Sequence, residues 1–361
     1  MSENVVRFQK KKRRGSSQSN SPHRIRSFVL RILLVLFSTL AAIVLALVIY
    51  INASPNLLVW YIRQNPTFNV QPTAPDAIWQ TASLVQVRKD ISYAETYPNS
   101  TLDVYTSAGS SGRRPTIFWL HGGGYVGGDK SSLWVLADRL AADGYTVITV
   151  NYALAPQTSY PAPVIQMQQA YQYVKSHPQQ FAMADLNQTA FGGDSAGAQI
   201  MSQFLAVQTN RALASEMGLR AVVPAASLKG AVLYCGTYRM ASFLHVENQA
   251  EKFFIQQLGW AYFGRKDWEA DPASRQTSTY DQVTKDFPAT FLTDGNSGSF
   301  ENDAKQLQSK LKSLGVSVST LFYPEKEITL PHEYQFNYQD YPAQANECYS
   351  RTAAFLRNCF R

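Results

Sequence analysis

The chain has 361 residues, 45% of them hydrophobic and 12% aromatic, which is enough apolar material for one large core. Its formal net charge of +7 is unevenly spread, because nine of the 33 Lys and Arg residues but only one of the 26 acidic residues lie in residues 1–31. The remaining 24 basic and 25 acidic residues leave the body near neutrality, which argues against a nucleic-acid-binding protein, since such a protein needs a basic face.

A long apolar stretch follows the basic tail. Residues 32–50 contain no charged residue, and these nineteen residues match the roughly 20 that a helix needs to cross a bilayer. Because positive charge stays on the cytoplasmic side, residues 1–27 are predicted to be a cytoplasmic tail, residues 28–50 a transmembrane signal anchor, and the chain beyond them extracytoplasmic. A cleaved signal peptide, with Ile51-Asn52-Ala53 as a poor cleavage site, is the alternative, although the apolar region of a signal peptide is usually about 7–15 residues long.

Strand and helix patterns alternate after a linker and N-terminal segment at residues 51–80. Strands are predicted over residues 83–93, 101–106, 116–120, 145–151, 189–192, 229–235, 289–293 and 316–323, and helices over 133–142, 164–176, 198–208, 301–314 and 343–357. The first two strands are expected to pair antiparallel through the Pro98-Asn99 turn. The alternation predicts that residues 81–361 form an α/β domain, with a mostly parallel sheet covered by helices on both faces. Residues 237–285 break this pattern and predict either a cap over a pocket or an ordinary helical layer.

The most informative stretch is Phe191-Gly192-Gly193-Asp194-Ser195-Ala196-Gly197-Ala198, which contains Gly-x-Ser-x-Gly. This pattern places a serine on a sharp turn between a strand and a helix, where the backbone is strained and its neighbours must be small. Gly193 and Gly197 meet that steric requirement. The five-residue pattern is weak by itself, so its meaning depends on the motifs around it.

Two further motifs accompany the serine turn. His121-Gly122-Gly123-Gly124 follows a predicted strand, and Tyr152-Ala153-Leu154-Ala155-Pro156 follows the next one. With these three motifs in this order, residues 80–360 resemble the hormone-sensitive-lipase-like carboxylesterases of the α/β-hydrolase fold. The resemblance implies that Ser195 is a nucleophile attacking an ester carbonyl. It also implies that the developing oxyanion is held by the backbone N–H groups of Gly122, Gly123 and Ala196.

The resemblance gives supporting roles to three neighbours of these groups. His121 and Gly124 would hold the glycine loop in place, and Asp194 would be a structural hydrogen-bond partner beside the nucleophile.

The general base is expected late in the chain, because this fold orders its triad as Ser, acid, His. His332 follows the last predicted strand by a short loop, as the base does in the family. The other histidines of the body fit less well: His121 belongs to the glycine loop, His177 precedes the serine, and His245 lies in the possible cap. His332 is therefore predicted to be the base.

The triad acid is absent from its usual place. The family carries an aspartate three residues beyond a glycine that follows the seventh strand, and here that position is Gly298. Three substitutes lie close by: Glu301 is favoured because its longer side chain can reach back to the imidazole, Asp294 at the strand end is the alternative, and Asp303 lies a turn further on. Glu301 and Asp303 also suit the N-terminus of a helix, where acids interact favourably with the helix dipole. A site without a direct acid remains a further alternative.

Together these features predict a serine carboxylesterase or lipase-like hydrolase that cleaves small to medium acyl esters through an acyl-enzyme on Ser195. An amide deacylase or acyltransferase of the same fold is one alternative, and a catalytically impaired binding protein is another. The predicted partners are a small-molecule ester and, through the N-terminal helix, a membrane. No cofactor, metal or nucleic acid is expected, and the sequence leaves the oligomeric state, the natural substrate and its acyl length open.

Overall fold

A computed structural model describes residues 22–65, 76–240 and 248–361. Most of the predicted basic tail, and His245 in the possible cap, lie outside these residues. The chain forms two units, Met1–Ser54 and Pro55–Arg361.

In the described part of the first unit, residues 22–54, the chain forms one long helix, α1 (Pro22–Ala53). Its portion Arg26–Ala53 has a mean hydropathy of 3.1 over its most apolar window, none of which is buried. The helix begins before the predicted residue 28 and extends past residue 50. By length and composition it fits a membrane-spanning helix and a signal sequence equally well.

An eight-stranded sheet forms the centre of the second unit. Its strands are β1 (Val85–Ser92), β2 (Thr101–Ser107), β3 (Arg114–Leu120), β4 (Thr146–Val150), β5 (Ala184–Asp194), β6 (Leu228–Tyr234), β7 (Thr290–Thr293) and β8 (Val318–Leu321). Their spatial order is β1-β2-β4-β3-β5-β6-β7-β8. The pairs β1–β2 and β2–β4 are antiparallel, whereas every pair from β4 to β8 is parallel. The predicted α/β class and the predicted first hairpin are therefore confirmed.

Eleven further helices connect and cover the strands in the described part of the second unit. They are α2 (Asn56–Gln64), α3 (Asp76–Ala82), α4 (Trp134–Ala142), α5 (Ala162–Ser176), α6 (Ala196–Thr209), α7 (Arg211–Glu216), α8 (Gln249–Phe263), α9 (Pro272–Gln276), α10 (Thr279–Gln282), α11 (Glu301–Ser313) and α12 (Pro342–Cys359). Helices α8, α9 and α10 lie within residues 237–285, for which a cap or a helical layer was expected.

The central strands are buried on both faces, because helices cover the sheet from both sides. In β3, Ile117 and Trp119 pack into one hydrophobic cluster, while the alternate residues Phe118 and Leu120 pack into the other. This alternation follows from the two-residue period of a strand. A continuous apolar run is thus what a central strand of such a sheet requires.

Helix α2 is packed onto the second unit rather than extended as a linker. Its Val59 and Ile62 are buried in a cluster with Val126, Ala155 and Ala261. The Arg63 guanidinium donates hydrogen bonds to the carbonyl oxygens of Val126 at 2.8 Å and Ala155 at 2.9 Å. The helix is therefore an integral layer beside the loop that begins at His121.

Candidate active site

The carboxyl ends of β3, β5, β6 and β7 meet at one edge of the sheet. His121, Ser195, Cys235 and Asp294 are the residues that directly follow these four strands. In open parallel sheets this edge is where ligands usually bind. The residues needed for chemistry are thus gathered by topology from distant parts of the sequence.

Ser195 occupies a strained turn between β5 and α6. Its backbone has φ 50° and ψ −121°, a conformation that residues other than glycine rarely adopt. A Cβ built on Gly193 would lie 2.5 Å from the carbonyl oxygen of Gly197, and one built on Gly197 would collide with the carbonyl oxygens of Leu120 and His121. The glycines of the motif are therefore required by the close approach of these backbones.

The structure brings Ser195 and His332 together. His332 lies in the loop after β8, and its Nε2 atom is 2.9 Å from Ser195 Oγ. Burial lowers the pKa of His332 to about 4, so the imidazole is neutral near pH 7 and can accept the serine proton. His177 is exposed at the end of α5, where its ring contacts Ser176 and Tyr173.

The other nitrogen of His332 contacts a residue that the sequence did not single out. Nδ1 lies 2.7 Å from Ser299 Oγ, and the Ser299 hydroxyl in turn donates a short hydrogen bond to Asp294 Oδ1. Asp294 is only 1% exposed at the end of β7. A chain of hydrogen bonds thus links Ser195, His332, Ser299 and Asp294 in that order.

Glu301, the favoured acid, is not part of this chain in the structure. It is the first residue of α11, and its Oε2 binds the Lys305 ammonium at 2.7 Å, one helical turn away. Asp303 accepts hydrogen bonds from the backbone N–H groups of Tyr238 and Arg239 at 2.9 and 3.0 Å. The expectation for Glu301 assumed that its side chain turns back toward the imidazole, whereas the helix places a cation at i+4 that binds it.

Gly298 adopts φ +58°, and a Cβ built there would have no atom within 4 Å. A side chain at residue 298 would therefore begin in open space rather than against His332.

One of the three predicted oxyanion donors is already engaged. The Gly122 N–H donates to Asp194 Oδ2 at 2.6 Å, and the Trp119 indole N–H donates to Asp194 Oδ1 at 2.8 Å. Among residues 22–65, 76–240 and 248–361, the N–H groups of Gly123 and Ala196 have no acceptor. Asp194 thus joins β3, the glycine loop and the serine turn, and two free amides remain beside Ser195.

His121 packs against the glycine loop and the segment after β4. Its ring stacks on Tyr152 with centroids 4.5 Å apart, and its Nδ1 lies 2.7 Å from the Gly122 carbonyl oxygen. Burial lowers the pKa of His121 to about 4. Gly124, at φ +59°, continues the same loop toward Leu258 of α8.

Glu333 is a second residue that sequence reasoning missed. It has φ +59°, and its Oε1 lies 4.0 Å from His332 Nε2. Burial, together with the neighbouring Asp194 carboxylate, holds the pKa of Glu333 well above its usual range, and burial raises the pKa of Asp194 to about 6. The sequence signal that could have identified Glu333 was its place directly after the predicted base.

Cys235, Asp294 and His332 form a group that could hold a metal ion. Their ligand atoms lie within 4.8 Å of one another. In this structure the Ser299 hydroxyl connects Asp294 to His332.

The chain is similar to known proteins of the α/β-hydrolase fold. A family described as the alpha/beta hydrolase fold matches residues 117–332. An esterase of Gibberella moniliformis is 27% identical over 211 residues, which span 57% of this chain and 64% of that protein, just under two thirds of its length. An acetyl esterase of Salmonella choleraesuis is 24% identical over 241 residues, which span 63% of this chain and 68% of that protein. The crystal structure of esterase B from Lactobacillus rhamnosis, 20% identical, superimposes with a TM-score of 0.65 over 78% of this chain and 90% of that one.

Proposed function

We propose, on the premise that this chain belongs to the α/β-hydrolase fold family, that it hydrolyses carboxylic esters of small to medium acyl groups through an acyl-enzyme on Ser195. The observation that carries the proposal is the 2.9 Å contact between Ser195 Oγ and His332 Nε2, on a strained turn beside two free amides. The similarity to an acetyl esterase supports an acyl group at the short end of this range.

Acylation follows from the positions of these groups. As Ser195 Oγ attacks the ester carbonyl carbon, its proton passes to His332 Nε2. The carbonyl oxygen becomes negatively charged and accepts hydrogen bonds from the N–H groups of Gly123 and Ala196. One such donor is typically worth about 2.7–4 kcal/mol of transition-state stabilisation. The protonated imidazole then gives its proton to the departing alkoxide oxygen, and the acyl group remains on Ser195.

Deacylation repeats these steps with water as the nucleophile. His332 Nε2 takes a proton from the attacking water and returns it to Ser195 Oγ, which releases the carboxylic acid. The complete hydrogen-bond chain from Ser195 to Asp294 weighs against a catalytically impaired protein. Among the residues that the structure describes, no contact in the site favours an amide over an ester or an acceptor alcohol over water.

A covalent probe tests the proposed nucleophile directly. A fluorophosphonate should label the wild-type protein, and peptide mass spectrometry should place the adduct on Ser195. The reason is that the same base and oxyanion donors activate Ser195 toward phosphorus as toward an ester carbonyl.

A series of p-nitrophenyl esters from acetyl to decanoyl should show its highest kcat/KM among the short chains. Absence of both labelling and ester hydrolysis at every pH would contradict the proposed function.

We also propose that α1 anchors the protein in a membrane, with the N-terminus cytoplasmic and the catalytic unit outside. The length and apolarity of Arg26–Ala53 and the basic residues that precede it support this orientation. Protease added to the outside of intact cells should digest the catalytic unit. Full protection until the membrane is permeabilised would mean the opposite orientation, and recovery of the unit in the medium would mean a cleaved signal.

A further inference from the structure

The triad acid and the base are separated by a hydroxyl in this protein. His332 Nδ1 lies 2.7 Å from Ser299 Oγ, and the Ser299 hydroxyl donates a hydrogen bond to Asp294 Oδ1. In the usual arrangement a carboxylate contacts the imidazole directly and holds it in the tautomer that leaves Nε2 free. Whatever fixes the tautomer of His332 must therefore act through Ser299.

The directions of the hydrogen bonds supply such a mechanism. A serine hydroxyl has one proton to donate, whereas an ionised carboxylate can only accept. When the Ser299 proton is committed to Asp294, the Ser299 oxygen can only accept a hydrogen bond from His332 Nδ1–H. Nε2 then carries a lone pair toward Ser195, which is the state that a general base requires.

The Ser299 hydroxyl is held in place by the contact between two loops. The side chain of Asn296 donates to the carbonyl oxygens of Tyr323 and Ile328 at 3.0 and 2.8 Å, and it accepts the Leu330 N–H at 2.8 Å. The Ser297 N–H donates to the Leu330 carbonyl oxygen at 3.0 Å. The loop that carries Ser299 is therefore fastened to the loop that carries the base, which is the rigid support that a positioning group needs.

We propose that Ser299 is a positioning residue through which Asp294 fixes the tautomer of His332. Its hydroxyl takes the place of a carboxylate in direct contact with the base. This inference rests on the proposed esterase function and names how its base is oriented. Ser299 itself does not touch the substrate. Its expected effect is therefore on kcat rather than on substrate binding.

Kinetics of Ser299→Ala test the proposal. Loss of the hydroxyl should lower kcat by about 10²-fold with little change in KM, because His332 samples the wrong tautomer but substrate contacts persist. Ser299→Thr keeps a hydroxyl and should recover most of the lost kcat. Ser297→Ala is the matched control, since this exposed serine lies two residues away in the same loop; its kcat should stay within about twofold of wild type.

A double-mutant cycle tests whether Asp294 acts through Ser299. If it does, the Ser299→Ala, Asp294→Asn double variant should lose no more than about threefold in kcat beyond the worse single variant. Imidazole ¹⁵N shifts of His332 should show the Nδ1–H tautomer in the wild type and a mixture in Ser299→Ala. Thermal unfolding of each variant identifies any that fails to fold, and Ser299→Thr then supplies the comparison.

Two results would overturn the proposed role of Ser299. The first is a Ser299→Ala variant with unchanged kcat, and the second is a cycle in which the two losses multiply. Both presuppose a wild type that hydrolyses esters and is labelled on Ser195. An inactive and unlabelled wild type would instead overturn the proposed function itself.

Discussion

Replacing His332 with alanine should lower kcat for ester hydrolysis by about 10⁶-fold while KM changes little. The loss is large because Nε2 of His332 is the imidazole nitrogen in contact with Ser195 Oγ, at 2.9 Å, and without it the hydroxyl must lose its proton to water. Steady-state rates on a short-chain p-nitrophenyl ester measure the effect. Fluorophosphonate labelling of Ser195 should slow in parallel, because it requires the same base.

His177→Ala is the matched control for this experiment. His177 is exposed at the end of α5, so its replacement should keep kcat within about twofold of wild type. A His332→Ala variant that is folded by circular dichroism and retains wild-type kcat would show that another group serves as the base.

Asp294→Asn should lower kcat by about 10³- to 10⁴-fold, because an amide can donate as well as accept and no longer dictates the direction of the Ser299 hydrogen bond. Glu301→Gln should stay within about twofold of wild type, since the Glu301 carboxylate binds Lys305 one helical turn along α11 rather than the imidazole. The ratio of the two kcat values distinguishes the candidate acids. A large loss in Glu301→Gln together with an active Asp294→Asn would restore the assignment made from sequence.

The pH dependence of kcat/KM tests the role of Asp294 independently. Burial raises the pKa of Asp294 to about 7, with Cys235, Tyr238, His332 and Glu333 as the titratable groups facing it. Below that pH, protonated Asp294 can donate to Ser299, which then donates to Nδ1 and leaves the proton of the imidazole on Nε2. Since burial lowers the pKa of His332 to about 4, kcat/KM should rise with pH through about 7 rather than near 4. Asp294→Asn should lack this rise.

The proposed nucleophile and the proposed base could be predicted from the sequence because each prediction depends on local or ordered information. Ser195 lies in a contiguous motif whose glycines are required by close backbone contacts, and His332 follows from the order of the triad along the chain. The strands were accessible for a similar reason, since β6 and β7 are short apolar runs that a sheet buries on both faces. Their boundaries differ from the predicted ones by a few residues, except in β5, which begins at Ala184 rather than 189.

The proposed acid, Asp294, was only the alternative in the sequence analysis, because its link to the base depends on how two loops meet. Whether Gly298, Ser299 or Glu301 faces His332 is decided by the hydrogen bonds of Asn296 to the loop after β8. Those hydrogen bonds join residues about thirty positions apart in the sequence, and no local sequence pattern predicts them. A hydroxyl between acid and base also belongs to no motif that a linear pattern can describe.

The oxyanion donors show the same limit on a smaller scale. Three consecutive glycines predict backbone N–H groups that are free to bind an oxyanion. The sequence does not indicate which of these N–H groups will donate to a neighbouring carboxylate instead. Asp194 accepts the N–H of Gly122 at 2.6 Å, so Gly123 and Ala196 are the two donors that we propose for the oxyanion. The choice depends on a side chain 72 residues away.

The packing of α2 bears on how the protein can be processed during biosynthesis. Signal peptidase acting after Ala53 would cut two residues before α2 begins at Asn56, and the mature product would keep Val59, Ile62 and Arg63 in their contacts. A secreted form and an anchored form would then share the same catalytic unit, complete from Pro55 onward. If α1 is the anchor that we propose, its retention or removal would then decide where the protein resides, while the contacts of α2 within the second unit would stay the same.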